Sequence, residues 1–256
     1  MRRPELVSLI ARRPRLTLAV AVFLAMAVGA MIQRLPRPAV PLRLTPVVRA
    51  VLTDPGSPSV GPLSADVVIV VFTDYQCAIC KTTDPALMRL LARDSKVRVI
   101  FKDWPVFGAG SHAAARAVIA AHRQGRYLAF HAALMAARGP LNDDRIRPLA
   151  TSVGVDGPRL QADLAARSAE LDSQIAGHAS QAWSLGLQGT PGYVVGPYLI
   201  PGGLDDHQLK VAVRRARKAG GLLERAVEDS PQARGGEPMP WSGHAAPPSP
   251  VLPQEG

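Results

Sequence analysis

The 256-residue sequence predicts an α/β protein, on three observations. A β-branched apolar run at residues 66–72 leads through a helical segment to a second strand-like run at residues 96–101. A block of about eighty alanine- and leucine-rich residues at helical spacing follows. A hairpin candidate and an amphipathic helix then close the pattern, so the order reads β-α-β, helical block, β-β-α.

Charge divides the chain before any element begins. Residues 1–50 carry +8 of the net +10, from Arg2, Arg3, Arg12, Arg13, Arg15, Arg34, Arg37, Arg43 and Arg49 against Glu5. The rest of the chain is nearly neutral, which argues against a nucleic-acid partner. Basic residues around an apolar stretch indicate membrane targeting instead. That stretch, residues 16–32 (LTLAVAVFLAMAVGAMI), is uncharged. At about 1.5 Å per residue it spans roughly 25 Å, slightly short of a hydrocarbon core of roughly 30 Å. The arginines before it form a positive n-region. Residues 1–33 are therefore expected to be a signal anchor that tethers the chain through residues 16–32. A signal peptide cleaved at Ala25-Met26-Ala27 or Val28-Gly29-Ala30 is the alternative, and Arg12-Arg13 offers a weaker twin-arginine reading. Each of these exports the remainder of the chain.

Residues 34–53 contain Pro36, Pro38, Pro41 and Pro46 among arginines and read as an extended spacer. The domain is expected over residues 54–220, entered through the turn-rich Asp54-Pro55-Gly56-Ser57-Pro58. Residues 66–72 are apolar on both parities, as in a strand buried on both faces and paired in parallel. A helix runs from Ala78 to about Arg93 with Pro85 within it. That proline either bends the helix or opens a second one after Asp84. Residues 96–101 (KVRVIF) form the second strand. Four or five helices are expected within residues 108–188. Gly192 to Ile200 (GYVVGPYLI) reads as a hairpin turning at Gly196-Pro197, and residues 205–219 as the last helix. Residues 221–256 hold seven prolines and no apolar period, and are expected to be disordered.

Cysteine occurs twice, as Cys77 and Cys80, where the first strand meets the first helix. An exported chain could hold a structural disulfide. A bridge across two residues, however, closes a loop too small to constrain the unfolded chain much. Metal binding needs further ligands. His112, His122, His131, His178, His207 and His244 show no ligand spacing, and each reads as an exposed helix residue, so no metal is expected. A redox couple needs nothing more than the pair and no cofactor. A helix N-terminus presents unpaired N–H groups and partial positive charge, which stabilise a thiolate at Cys77. Cys80, one turn on and more buried, then resolves the mixed disulfide. Thr190-Pro191, in GTPGYVVG, precedes a strand; alone it reads as a strand start.

Together the segments resemble the DsbA-like branch of the thioredoxin-fold oxidoreductases over roughly residues 54–218. VVIVVFTDYQCAIC is similar to that family's strand and active-site motif, FKDWPVFG to its second strand and loop, and GTPGYVVGPYLIPGG to its cis-proline loop and hairpin. The helical block falls where the family inserts a helical domain. The resemblance implies a thioredoxin fold with an inserted helical subdomain. It implies Cys77 as nucleophile and Cys80 as resolving thiol. Pro191 would be cis, and with Thr190 it would hold an extended substrate peptide beside Cys77.

The chain departs from the family in two places. Many relatives carry an acid where Val71 stands, able to assist proton transfer at the resolving cysteine. Strongly oxidising members carry Pro-His where this chain has Ala78-Ile79. Lys102 reads as a solvated strand-end residue with no assigned role. Trp104 and Phe107 either pack beneath the motif or border a peptide surface, with packing the preferred reading. Tyr75 and Gln76 are candidates for shaping access to Cys77.

The expected function is a disulfide-forming oxidase of the bacterial envelope, anchored to the inner membrane and facing the periplasm. It would act on thiol- or disulfide-bearing proteins as a monomer, and a membrane partner would recycle its dithiol. A reductase or isomerase of the same fold is the nearest rival. A peptide-binding or chaperone module with an incidental CxxC is the rival from another class.

Overall fold

The computed structural model describes residues 18–26 and 38–220. Residues 18–26 are helical and exposed. Among the described residues no helix is long and apolar enough to cross a membrane. The remainder of the predicted anchor, with Ala27 of the first proposed cleavage site and all of Val28-Gly29-Ala30, and the proline-rich tail at 221–256 lie outside the described residues.

The described chain forms β1 (Val40–Pro41), α1 (Pro46–Leu52), β2 (Ser59–Val60), β3 (Val67–Thr73), α2 (Ala78–Arg93), β4 (Val97–Asp103), α3 (Ala109–His122), α4 (Tyr127–Ala136), α5 (Asp143–Ser152), α6 (Gly157–Ala166), α7 (Ser168–Ser184), β5 (Gly192–Val195), β6 (Tyr198–Pro201) and α8 (Asp206–Ala219). The six strands make one mixed sheet in the order β1-β6-β5-β3-β4-β2. β3 and β4 are parallel, with Val67 opposite Val97 and Thr73 opposite Asp103. β5 lies antiparallel on the other side of β3, with Val71 opposite Tyr193.

Burial of both faces explains why β3 is apolar at every position. Val67, Ile69 and Val71 point into a core shared with α2, the inserted helices and α8. Val68, Val70 and Phe72 point the other way, into a core built with α1 and α7. Alternate residues of a strand face opposite sides, so a strand covered on both must be apolar on both parities. The helical block forms five helices between Ala109 and Ser184. Pro85 lies inside α2, which runs unbroken from Ala78 to Arg93.

The structure corrects the reading of residues 34–53 as an extended spacer. Val40–Pro41 pairs with β6, and α1 buries Val48, Val51 and Leu52 against the sheet. The prolines misled because two serve ordered structure. Pro41 sits on an edge strand, where no ladder donor is required. Pro46 occupies the first turn of a helix capped by Thr45, where its missing N–H costs nothing.

Candidate functional site

The parallel pair delivers two loops to one end of the sheet. β3 ends at Thr73, and Asp74-Tyr75-Gln76 leads into Cys77, the N-cap of α2. One buried carboxylate shapes this turn. Asp74 Oδ1 accepts from the Gln76 N–H and the Ser111 hydroxyl, both at 2.6 Å. Its Oδ2 accepts from the N–H groups of Val106 at 2.6 Å and Phe107 at 3.1 Å. The Gln76 side chain accepts from the Leu141 N–H at 2.8 Å. Gly110 lies so close that a Cβ there would come within 2.9 Å of Gln76 Nε2. The helical insertion is thereby seated directly on the motif loop.

Both cysteines are buried and unpaired as thiols. Cys77 Sγ accepts from the Cys80 N–H at 3.2 Å, as an N-cap side chain does. It also lies 3.4 Å from the Thr190 carbonyl, to which the thiol donates. The Thr190–Pro191 bond is cis, and the Pro191 carbonyl accepts from the Gly202 N–H at 2.9 Å. The structure thus brings Cys77, Cys80, Thr190 and Pro191 together across more than a hundred residues of sequence.

The two thiols are electrostatically unlike. A hydrogen bond from the Cys80 thiol, reinforced by backbone N–H groups at the start of α2, lowers Cys77 to about 6 against the cost of its burial. The same hydrogen bond, burial and the charge on Cys77 push Cys80 far up. At neutral pH the pair therefore holds one thiolate and one thiol.

Several sequence expectations change at this site. Tyr75 does not shape access; it is buried beneath the motif, donating to Asp103 Oδ1 at 2.7 Å and touching His131 Nδ1 at 2.9 Å. Lys102 is not solvated. It is fully buried on the α1 and α7 side, paired with Asp54. His131 and His178 are not exposed helix residues. Both are buried, and burial with the Lys102 charge lowers His178 to about 4. Trp104 packs edge-on against Phe72 and Trp183, with ring centroids 6.4 and 5.2 Å away. Phe107 instead stands half exposed, as do Val106 and Ile79. Among the described residues no group of three or more His, Cys, Asp or Glu side chains is placed to hold a metal.

Sequence reasoning missed Asp74, Asp84, Asp103, Tyr127 and His131, which the fold gathers around the motif. The one signal in the sequence was Lys102-Asp103, a charged pair directly after the apolar run Val99-Ile100-Phe101.

Comparison with known proteins agrees with this geometry. The model of the DSBA-like thioredoxin domain family matches residues 68–214. The chain is 40% identical to a thioredoxin-like oxidoreductase from Silicibacter pomeroyi DSS-3, covering 67% of this chain and 98% of that one, with a TM-score of 0.63. It is 29% identical to a periplasmic thioredoxin-like protein from Salmonella enterica serovar Typhimurium, over 69% and 99% of the two chains, with a TM-score of 0.59. It is 26% identical to the thiol-disulfide exchange protein α-DsbA2 from Wolbachia pipientis, over 65% and 90%, with a TM-score of 0.62. A curated relative, Na(+)/H(+) antiporter NhaA 1 of Salinispora arenicola (strain CNS-205), is 28% identical over 158 residues, which are 61% of this chain and 24% of that protein. The chain thus spans about a quarter of the length of the curated relatives it matches.

Proposed function

The chain belongs to the DSBA-like thioredoxin-domain family, and from that premise we propose that it is an exported thiol–disulfide oxidoreductase that introduces disulfides into proteins of the bacterial envelope. The observation that carries this reading is the pair itself: Cys77 is held as a thiolate near neutrality and Cys80 as a thiol. A stabilised thiolate favours the reduced pair, and that makes the disulfide form an oxidant.

The cycle starts from the Cys77–Cys80 disulfide. A client thiolate attacks Cys77 Sγ, and the bond to Cys80 breaks with its electron pair on Cys80, which takes up a proton. A second client thiolate attacks the client sulfur of the mixed disulfide. The client disulfide forms and Cys77 leaves as its stabilised thiolate. The enzyme has gained two electrons, which a membrane partner removes. The Thr190 carbonyl beside Cys77 supports a role for Thr190 and Pro191 in holding an extended client peptide. The exposed Ile79, Val106 and Phe107 near the motif suit apolar client side chains. Export rests on the arginine-flanked stretch at residues 16–32, and on the likeness to a periplasmic protein. The enzyme acts as a monomer tethered through that stretch.

One feature favours a second reading. Ala78-Ile79 supplies no side-chain donor between the cysteines, so a less oxidising pair that keeps client thiols reduced is the alternative. The reduction potential, measured by equilibrating the full chain with graded glutathione buffers, decides. A value of about −120 to −180 mV supports the oxidase and one near −270 mV the reductase. The absence of any reversible couple in wild type, with client binding kept in Cys77→Ser, overturns both in favour of a binding module.

A further inference from the structure

Behind the dithiol lies a buried polar chain that the exchange cycle does not use. It runs from β4 through the motif loop into the inserted helices and returns to α2. Asp103 Oδ1 accepts from the Tyr75 hydroxyl at 2.7 Å. Tyr127 also donates to Asp103, at 3.0 Å from Oδ2 and 3.1 Å from Oδ1. His131 Nδ1 meets the Tyr75 oxygen at 2.9 Å. His131 Nε2 meets Asp84 Oδ1 at 2.9 Å. Asp103 and His131 are fully buried, and Asp84 retains only 9% of its surface.

With Asp103 ionised, hydrogen counting fixes where the protons are. Tyr75 has one hydroxyl hydrogen and spends it on Asp103. Its oxygen can then only accept from His131, so Nδ1 carries a hydrogen. The remaining contact joins Nε2 to a carboxylate oxygen. Two bare acceptors do not sit 2.9 Å apart in a buried site, so one proton lies between them. It belongs either to an imidazolium beside a carboxylate or to an imidazole beside a carboxylic acid. In both forms His131 and Asp84 store a transferable proton.

That proton is stored beside the resolving cysteine. Asp84 lies four residues after Cys80 on α2, and both face the buried side. Side chains four apart on a helix are neighbours, with Cβ atoms about 5–6 Å apart. Tyr193, opposite Val71 in the sheet, is buried in the same core as Cys77 and Cys80. Val71 itself is apolar, so β3 offers no acid there.

We propose that Asp84, held and recharged by His131, Tyr75 and Asp103, is the proton donor and acceptor for Cys80 during disulfide exchange. The inference rests on the oxidoreductase reading of the site. When a client thiolate attacks Cys77 Sγ, the electron pair of the broken S–S bond goes to Cys80 Sγ. The stored proton passes through the Asp84 carboxyl to that sulfur. In reverse, the Cys80 thiol gives its proton to Asp84, its thiolate attacks Cys77 Sγ, and the client leaves as a thiolate. The titratable groups facing the relay are Cys80 on α2, Tyr193 on β5, His122 and Tyr127 on the inserted helices, and Asp74 in the motif loop. Burial raises Asp103 to about 6, which keeps the far end of the chain able to hold a proton near neutrality.

The test uses the full chain in detergent, as wild type, Asp84→Asn, Asp84→Glu and His131→Gln. Single-turnover reduction of the Cys77–Cys80 disulfide by glutathione is followed across pH. Alkylation of Cys77 in the reduced chain serves as the control, because it transfers no proton to or from Cys80. Loss of the relay is expected to slow disulfide reduction by about 10²-fold near neutrality and to flatten its pH profile. Asp84→Glu restores part of the rate, and Cys77 alkylation is unchanged. If Asp84→Asn does not fold, His131→Gln decides, since its amide can occupy the site but cannot transfer a proton. A wild-type rate and pH profile in the foldable variant overturns the relay. So does a uniform loss at every pH with the profile shape kept, which marks a purely structural role. A wild type that exchanges no disulfide overturns the oxidoreductase reading instead, a distinguishable result.

Discussion

At the scale of single residues, the environment decides the chemistry more than the residue type does. Cys77 and Cys80 are the same side chain one helical turn apart, and the fold moves their acidities in opposite directions. The depressed Cys77 ties stability to pH with a definite sign. An unfolded thiol ionises near 8.5, and the folded one at about 6. The stabilisation is therefore complete above the unfolded value and is lost as pH falls through the folded one. The reduced chain is expected to lose resistance to urea between about pH 8.5 and pH 6. Thiolate absorbance should titrate with a midpoint near 6, the value the thiol surroundings set. Cys77→Ser should abolish both effects. A midpoint near the ordinary thiol value in wild type would show that the start of α2 does not activate Cys77. Which cysteine sits at the helix start was legible in the sequence, because an apolar run followed by CxxC fixes it. The partners of Tyr75, Lys102, His131 and His178 were not. Their neighbours come from 28 to 121 positions away, and no local pattern records such pairings.

At the scale of elements, periodicity was a sound guide wherever an element is long and one-sided. β3, α2, β4, the hairpin and α8 all lie within two residues of where their apolar patterns place them. It failed for the short elements ahead of the domain, where proline content outweighed a helix of seven residues. That helix is held in two ways. Val48, Val51 and Leu52 enter the core shared with α7, and Asp54 just beyond it meets Lys102 on β4. Asp54 also accepts from Ser57 at 3.0 Å, whose hydroxyl reaches His178 at 3.0 Å, so α7 joins the same contact. Lys102 has no exposed surface, and an ammonium left there without a partner is costly. Asp54→Ala is expected to destabilise the chain by about 3 kcal/mol in urea unfolding. Replacing Lys102 with Met in the same chain should recover most of that loss, because the stranded charge is gone. If the double variant is no more stable than Asp54→Ala, the ion pair is not what holds α1 to the sheet.

At the scale of the whole molecule, redox state and folding stability are two readings of one free energy. The folded chain stabilises the Cys77 thiolate through Cys80 and the start of α2, and the disulfide form cannot make those interactions. An unfolded CxxC enjoys no such preference. The folded state must therefore favour the dithiol, and the oxidised chain must be the less stable of the two. Each 30 mV or so by which the folded pair is more oxidising than the same pair unfolded appears as about 1.4 kcal/mol of extra stability in the reduced chain. Closing so small a loop gives the disulfide little entropic compensation. Urea unfolding of the oxidised and reduced chains, run in parallel, should show the reduced form unfolding at higher denaturant near pH 7. The gap should shrink as pH falls through about 6, where Cys77 takes up its proton. The measured potential and the measured gap must also agree, since they close one thermodynamic cycle. An oxidised chain that is the more stable form at neutral pH would mean that the fold protects the disulfide. The pair would then be a staple or a reductant, and the oxidase reading would fall with it.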